Sequence, residues 1–184
     1  GSRVGVDARL HSLEWYRKTE QTLAAAQIGL LSLAENPIDL HWQERPAPSS
    51  APARLFAETI AGESSPSKRQ RIATQLRASS ADALLLTQNE SINWLLNIRG
   101  SDIPALPVVN AFAILYSNAA LDLFIEPSRL DCQFSTHVGN DVSVYPAEKL
   151  NDVLQRLGED MLRVWLDSAS TNAACALQLQ QYGA

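Results

Sequence analysis

Hydrophobic and polar positions change in short blocks along the chain, and the first blocks predict a strand, a helix and a second strand. Arg3–Asp7 has valines at alternate positions and a polar end, which predicts a short buried strand. Ser12 stands where a helix N-cap is preferred, an apolar stripe follows it, and Gly29 suits a helix C-terminus. Leu30–Ala34 predicts the second strand. A crossover of this length joins parallel strands, so we expect a parallel β-α-β unit.

The apolar pattern stops between Glu44 and Pro52, and three of the seven residues in Pro46–Pro52 are prolines. Such a segment favours an extended, semi-rigid conformation. We therefore predict three parts of the chain: the β-α-β unit in residues 1–45, a proline-rich linker in residues 46–60, and a second domain in residues 61–184.

The second domain alternates helical and strand patterns. Ser65 as N-cap and Pro66 at the first helical position predict a helix that ends near Ala78. The short connection Ser117–Ala120 between two apolar runs predicts an antiparallel hairpin. Further helices are predicted at Pro127–His137, from Pro146 and at Ser168–Tyr182, and strands at Ala83–Thr87, Val108–Tyr116, Leu121–Glu126, Val142–Tyr145 and Leu162–Leu166. This order predicts the α/β class, a mixed-sheet α/β sandwich that lacks its last strand.

The segment Ser91–Pro107 is the one stretch whose composition the fold alone does not require. A short apolar half-turn is followed there by a polar loop, and prolines restrict the backbone of that loop. Two interpretations stay open. The loop could face a ligand or another domain, with Gly100 permitting backbone angles closed to other residues. Alternatively, Arg99 could pair with Asp102 or cover apolar surface, and the loop would be structural. The candidate site residues are Asn97, Arg99, Gly100, Ser101 and Asp102.

Composition and charge narrow the class of partner. The 184 residues are 46% hydrophobic and carry a formal net charge of -5, so we expect neither nucleic acid nor a membrane as partner. The basic cluster of the helix is predicted to be a solvated face rather than a binding patch. It consists of Lys68, Arg69, Arg71 and Arg77. The absence of a long apolar run and of a leader-like N-terminus favours a cytoplasmic protein.

Residues that carry chemistry are sparse. Cys132 and Cys175 have no CxxC spacing, and both are predicted to be small buried hydrophobes. His11, His41 and His137 are far apart and never in HExxH spacing. Motifs such as GxSxG, GxxxxGK[ST] and GxGxxG do not occur. The chain by itself is therefore predicted to contain no catalytic residue, no metal ligand and no cofactor.

Ile92–Pro104, followed by Pro107 and Ala111–Leu115, closely resembles the middle domain of the three-domain aminopeptidase P, or Xaa-Pro aminopeptidase, family. Supporting matches lie in family order at Val4–Asp7, Leu10–His11, Glu35–Asp39, Trp42, Arg45–Pro48, Gly62–Ser65, Lys68–Arg69 and Asp122–Ile125. The resemblance implies that residues 1–45 close a first domain and that residues 61–184 form a creatinase/prolidase N-terminal-like domain.

The resemblance also implies a function. The family's catalytic pita-bread domain, with its two divalent metal ions, expected to be manganese, would be missing from these residues. The chain would be a non-catalytic, inactive fragment of a metallo-aminopeptidase that removes the N-terminal residue from Xaa-Pro peptides. Its Asn97–Asp102 loop would contribute to the substrate entrance or dock the catalytic domain, and a homodimer is conceivable. The alternative is a stand-alone α/β binding or scaffold module that uses the loop at Arg99.

Overall fold

The computed structural model describes residues 1–184. The strands are β1 (Arg3–Val6), β2 (Gly29–Ser32), β3 (Arg54–Leu55), β4 (Ala83–Leu86), β5 (Ile98–Arg99), β6 (Phe112–Tyr116), β7 (Leu121–Phe124), β8 (Val142–Tyr145) and β9 (Val164–Trp165). The helices are α1 (Leu13–Ala25), α2 (Pro37–His41), α3 (Glu58–Ala61), α4 (Ser65–Ala78), α5 (Asn89–Leu96), α6 (Phe134–Val138), α7 (Leu150–Glu159) and α8 (Ala173–Tyr182).

The main sheet has five strands in the order β8-β7-β6-β4-β9. Strand β6 runs antiparallel to both β4 and β7, whereas β7 pairs with β8 and β4 pairs with β9 in parallel. The predicted hairpin through Ser117–Ala120 is therefore confirmed, and so is the mixed-sheet α/β fold class. The predicted parallel pair β1-β2 at the start of the chain is also confirmed.

Helices cover both faces of the main sheet, which explains why β4 is apolar at every position. Ala83 and Leu85 belong to a core shared with α7 and α8, whereas Leu84 and Leu86 pack against the core shared with α4, α5 and α6. Successive strand residues point to opposite faces, so a strand between two helical layers needs no polar position.

The β-α-β unit contacts the rest of the chain through α8 and the turn before it. The backbone N–H of Ala173 donates to His11, and the N–H of Leu13 donates to Thr171, at 2.8 and 2.9 Å. Ala8, Tyr16 and Leu30 pack with Ala173 in a small separate core. The division into residues 1–45, 46–60 and 61–184 stays a prediction, although the predicted linker contains β3 and α3.

Several element boundaries differ from the predictions, three of them markedly. Helix α8 begins at Ala173 instead of Ser168, because the side chain of Asn172 accepts a hydrogen bond from the Cys175 N–H and caps the helix there. The predicted helix Pro127–His137 is divided into a 3-10 turn and the short α6. The predicted strand Val108–Tyr116 begins only at Phe112.

Two of the four basic residues of α4 are not on a solvated face, so that prediction is wrong for them. Lys68 and Arg69 are only 2% and 1% exposed, whereas Arg71 and Arg77 are exposed. The guanidinium of Arg69 donates to two backbone carbonyls, at 2.5 and 2.7 Å, that lie far away in sequence. These acceptors belong to the tertiary structure, and a sequence pattern does not show them. The prediction that both cysteines are buried is right for Cys175 and wrong for the exposed Cys132.

A buried carboxylate at the end of β1 gives a pH-dependent prediction. Asp7 accepts four hydrogen bonds, three from Arg9 and one from Asn36. The hydrogen bonds from Arg9 outweigh the effect of burial and lower the pKa of Asp7 to about 2. Because the folded-state pKa is depressed, the stabilisation is complete above the unfolded pKa of about 4 and is lost as the pH falls towards 2.

We therefore expect Asp7→Asn to lower the free energy of unfolding at pH 7 by up to about 2 kcal/mol. The difference from the unmodified chain should shrink steadily between pH 4 and pH 2. Urea unfolding at a series of pH values measures it, with the exposed Asp160→Asn as the matched control. A loss that is the same at pH 3 and pH 7 would contradict the electrostatic cause.

Candidate functional site

The loop begins at Asn97, which ends α5 in the left-handed conformation with φ 52°. Asparagine tolerates this conformation better than most residues. Its side-chain oxygen accepts a 2.6 Å hydrogen bond from Lys68, and its amide nitrogen donates to the carbonyl of Glu63. Its own carbonyl accepts from the Nε2 of His137 at 2.9 Å. Asn97 is 2% exposed and therefore fixes the start of the loop from inside the protein.

The ammonium of Lys68 has no carboxylate in contact. It donates to the carbonyl of Trp94 at 2.8 Å and to Asn97, and it lies 4.4 Å from the centre of the Trp94 ring. Burial lowers the pKa of this lysine. Its hydrogen bonds and the aromatic ring partly compensate for the lost hydration of the charge.

Arg99 lies on β5, which pairs with β3 of the predicted linker. Its guanidinium stacks 4.2 Å from the centre of the Phe56 ring and donates to the carbonyl of Ile98 at 2.7 Å. It does not pair with Asp102, so this part of the structural interpretation is wrong, whereas covering of apolar surface is observed. The side chain is partly exposed and is the one cation of the loop that solvent or a partner can reach.

Asp102 forms a buried ion pair instead. One carboxylate oxygen accepts from Arg129 at 2.6 Å and the other accepts from the Asn110 N–H at 2.7 Å. The two charged side chains are 0% and 7% exposed. Burial opposes ionisation of Asp102, but the hydrogen bonds from Asn110 and Arg129 prevail and hold its pKa below the usual value. Arg129 also bonds the backbone of Ala51 and Ala53, so it joins the loop to the linker.

Gly100 is required for a reason that differs from the predicted one. Its φ is not positive, so unusual backbone angles are not involved. A Cβ atom at Gly100 would lie 2.3 Å from Val109 Cγ1 and 2.9 Å from the carbonyl oxygen of Val108. The loop doubles back against its own exit there, with the Gly100 N–H donating to Pro107. Ser101, the next residue, is exposed.

A cavity of about 580 Å³ opens beside the loop. It lies where β4, β7 and β8 end and β6 begins. Phe112 and Phe124 contribute apolar surface, Asp102 and Arg129 contribute their ion pair, and Pro48–Ser50 of the linker form an outer wall. The structure thus brings three of the predicted parts together: the loop, the linker and the end of the main sheet at which these strands begin or end.

The chemistry available here is binding and positioning. No group of three or more His, Cys, Asp or Glu side chains is arranged to hold a metal ion. The residues present therefore do not fit a dinuclear metal site. No helix is long and apolar enough to cross a membrane.

Sequence reasoning missed the partners that hold the loop in place. Lys68 was assigned to a solvated face, and Arg129 and Asn110 were not assigned to any role. The sequence indicates only that Asp102 needs a partner. An aspartate in a loop between apolar runs requires a cation or N–H groups if it is buried. Which cation supplies this partner depends on the tertiary fold.

The mixed sheet, the helices on both of its faces and the loop-lined cavity at one end define an α/β sandwich domain. The chain belongs to the creatinase/prolidase N-terminal domain family, whose sequence model matches residues 44–184. The fold class predicted from the sequence is the fold of this family.

Proteins described as Xaa-Pro aminopeptidases are similar in sequence to this chain along most or all of its length. The chain is 31% identical to a probable Xaa-Pro aminopeptidase P of Penicillium rubens over all of its own length and 30% of the relative. It is 32% identical to one of Aspergillus clavatus, over 82% of the chain and 23% of the relative. The crystal structure of an X-prolyl aminopeptidase from Caenorhabditis elegans, described as a cytosolic enzyme with a dinuclear active site, superposes with a TM-score of 0.86 at 26% identity. The superposed region covers 94% of this chain and 29% of the nematode chain.

Proposed function

We propose that the chain is a non-catalytic region of a metallo-aminopeptidase that removes the N-terminal residue from peptides with proline in second position. The observation that carries the proposal is similarity along the whole chain to Xaa-Pro aminopeptidases, of which the chain spans less than a third. In this proposal residues 1–45 close a first domain, residues 46–60 form the linker, and residues 61–184 form the middle domain. The family match begins at residue 44, close to the start of the linker.

The proposed role of the loop is to face the catalytic domain and its substrate entrance. Asn97 and Asp102 are turned inward and position the loop, whereas Arg99 and Ser101 retain solvent-accessible surface. Gly100 allows the close return of the chain against Val108 and Val109. The loop is therefore rigid, as a wall that sets the size of an entrance has to be.

The remaining parts of the proposal concern the longer protein. Its catalytic domain would hold two divalent metal ions, because the nematode relative is described as dinuclear. Manganese is the metal that we propose for it. The same description supports a cytosolic location. The proposed partners are this catalytic domain, proline-containing peptides and a second copy in a homodimer.

The exposed Ser101 gives the sharpest test. In a gene product that contains this chain and the metal-binding region, we expect Ser101→Trp to lower kcat/KM for an Xaa-Pro peptide by about tenfold, or about 1.4 kcal/mol, because a bulky side chain would narrow the entrance. The effect should grow with the length of the peptide. Steady-state kinetics with a dipeptide and a nonapeptide measure this dependence.

Ser143→Trp is the matched control, since Ser143 is exposed on the edge strand β8. It should leave kcat/KM unchanged for both peptides. The 184-residue chain alone should not hydrolyse either peptide with added manganese. Equal kinetics of the Ser101 and Ser143 variants would refute the entrance role, and manganese-dependent hydrolysis by the chain alone would refute the non-catalytic assignment.

A second candidate function is a stand-alone binding module. The cavity beside the loop favours it, because its volume lies in the range typical of small-molecule sites. Arg99, the group on which this candidate relies, does not line the cavity, and its guanidinium is already stacked on Phe56. A stop codon directly after the chain in the gene would favour the module over the peptidase region.

A further inference from the structure

The cavity beside the loop has an apolar floor. Ala111, Phe124 and Ile125 line it and are at most 7% exposed, and the partly buried ring of Phe112 adjoins them. The partly exposed ring of Phe112 offers the apolar surface from which a ligand would exclude water, and the three buried residues support it from below. The volume of about 580 Å³ accommodates a body the size of an aromatic ring and its substituents.

The side chains of Asn89 and Thr87 in the cavity wall are already hydrogen-bonded within the protein. The side chain of Asn89 donates to Asn110 at 2.7 Å and accepts from the Ala111 N–H at 3.1 Å. The hydroxyl of Thr87 donates to the carbonyl of Ser170. The wall is therefore formed without a ligand, and a ligand would not need to order it.

The charges that line the cavity do not balance. Arg129 is compensated by Asp102 at 2.6 Å. Glu126 and Glu148 also line the cavity, both are exposed, and neither forms an ion pair. Glu126 follows β7, and Glu148 lies in the turn before α7. A concave site with low-dielectric walls concentrates their negative potential at the opening.

The outer wall of the cavity is fastened in place. Pro48–Ser50 lie opposite the ends of the strands, and the Nε of Arg129 donates to the carbonyl of Ala51 at 2.8 Å. The prolines further restrict this wall. An apolar group that enters the cavity is thus enclosed by the linker on one side and the sheet on the other.

We propose that this cavity is a binding site for organic cations, namely primary amines that carry an aromatic or branched apolar body. The apolar body lies on the ring of Phe112, and the ammonium lies at the opening between Glu126 and Glu148. The proposal goes beyond the proposed peptidase role, because it concerns binding by this chain alone and does not require a catalytic domain.

Three phenyl-substituted probes of similar size test the charge preference: phenethylamine, the neutral 2-phenylethanol and the anionic 3-phenylpropionate. Titration of the isotope-labelled chain is followed through its backbone amide NMR signals. For a ligand with about nine heavy atoms we expect a Kd of about 10 mM for the amine, at least tenfold tighter binding of the amine than of the anion, and an intermediate value for the alcohol. The shifts should be largest at Ala111 and Phe112, and higher salt should weaken binding of the amine.

The double variant Glu126→Gln, Glu148→Gln removes the charge preference without touching the core, because both side chains are exposed. It should weaken binding of the amine about tenfold and leave the alcohol unchanged. Glu159→Gln, at the opposite end of α7, is the control and should change neither affinity. Equal affinity for amine and anion, or shifts located away from the cavity, would overturn the proposal. None of these results depends on peptide hydrolysis, so the peptidase proposal is tested separately.

Discussion

Arg129→Met should lower the free energy of unfolding by about 3–5 kcal/mol, the largest loss that we expect from any single substitution in the loop region. The change leaves the carboxylate of Asp102, which has no exposed surface, without its guanidinium partner. It also removes the hydrogen bond from Arg129 to the carbonyl of Ala51 and so releases the linker from the loop. Urea unfolding followed by circular dichroism measures the loss.

A double-mutant cycle separates the ion pair from the other contacts of Arg129. The pair Arg129→Met, Asp102→Asn should cost clearly less than the sum of the two single changes, because it leaves no uncompensated buried charge. Lys149→Met is the control, since Lys149 pairs with Asp152 at the surface with both side chains about 60% exposed, and it should cost less than about 1 kcal/mol. A loss from Arg129→Met as small as that of Lys149→Met would show that the buried pair does not stabilise the loop.

The pH dependence of the same variants has a definite sign. The pKa of Asp102 is lowered in the folded chain, so its ionised form contributes stability above the unfolded pKa, and this contribution decreases as the pH falls through the folded value. In Arg129→Met the buried side chain of Asp102 lacks a cationic partner, so its neutral, protonated form is favoured over the carboxylate. The difference between the variant and the unmodified chain should therefore be smaller at pH 4 than at pH 7.

Gly100→Ala should lower the free energy of unfolding by about 1–3 kcal/mol, although alanine is a small residue. The new Cβ would lie 2.3 Å from a methyl carbon of Val109 and 2.9 Å from two backbone atoms, the Val108 oxygen and the Val109 nitrogen. Val109 is fully buried, so its side chain has little room to move. The backbone contacts can be relieved only if the two arms of the loop separate.

Gly29→Ala provides the control for this prediction. A Cβ at Gly29 would lie 3.5 Å from a side-chain carbon of Arg3, an ordinary contact, and φ is not positive there. This change should be neutral or stabilise the chain by a few tenths of a kcal/mol, because it restricts the unfolded chain. Adding Val109→Ala to Gly100→Ala should restore only part of the loss, since the backbone contacts remain. A stability of Gly100→Ala equal to that of Gly29→Ala would show that the loop adapts without strain.

The residues of the site differ in how well the sequence predicts their roles. Gly100 and Asp102 stood out as residues that a strand or helix would not require, and both have a specific role in the structure. The reasons differ from those expected, because the close contact at Gly100 and the partner of Asp102 come from segments 8 to 27 residues away. Periodicity reports which face of an element is buried, but it does not report which distant element covers that face.

The sequence by itself determined the mixed α/β class, the parallel β-α-β unit, the hairpin and the presence of a helix after Pro146, because each depends on hydrophobic spacing and local turn chemistry. Only the tertiary structure decided that Lys68 and Arg69 are buried, that Asp102 pairs with Arg129 and that a cavity forms between linker, loop and sheet. These features depend on backbone carbonyls and side chains that folding brings together from distant segments. A buried charge is stable only where such partners meet, and the spacing of residues along the chain does not show where that is.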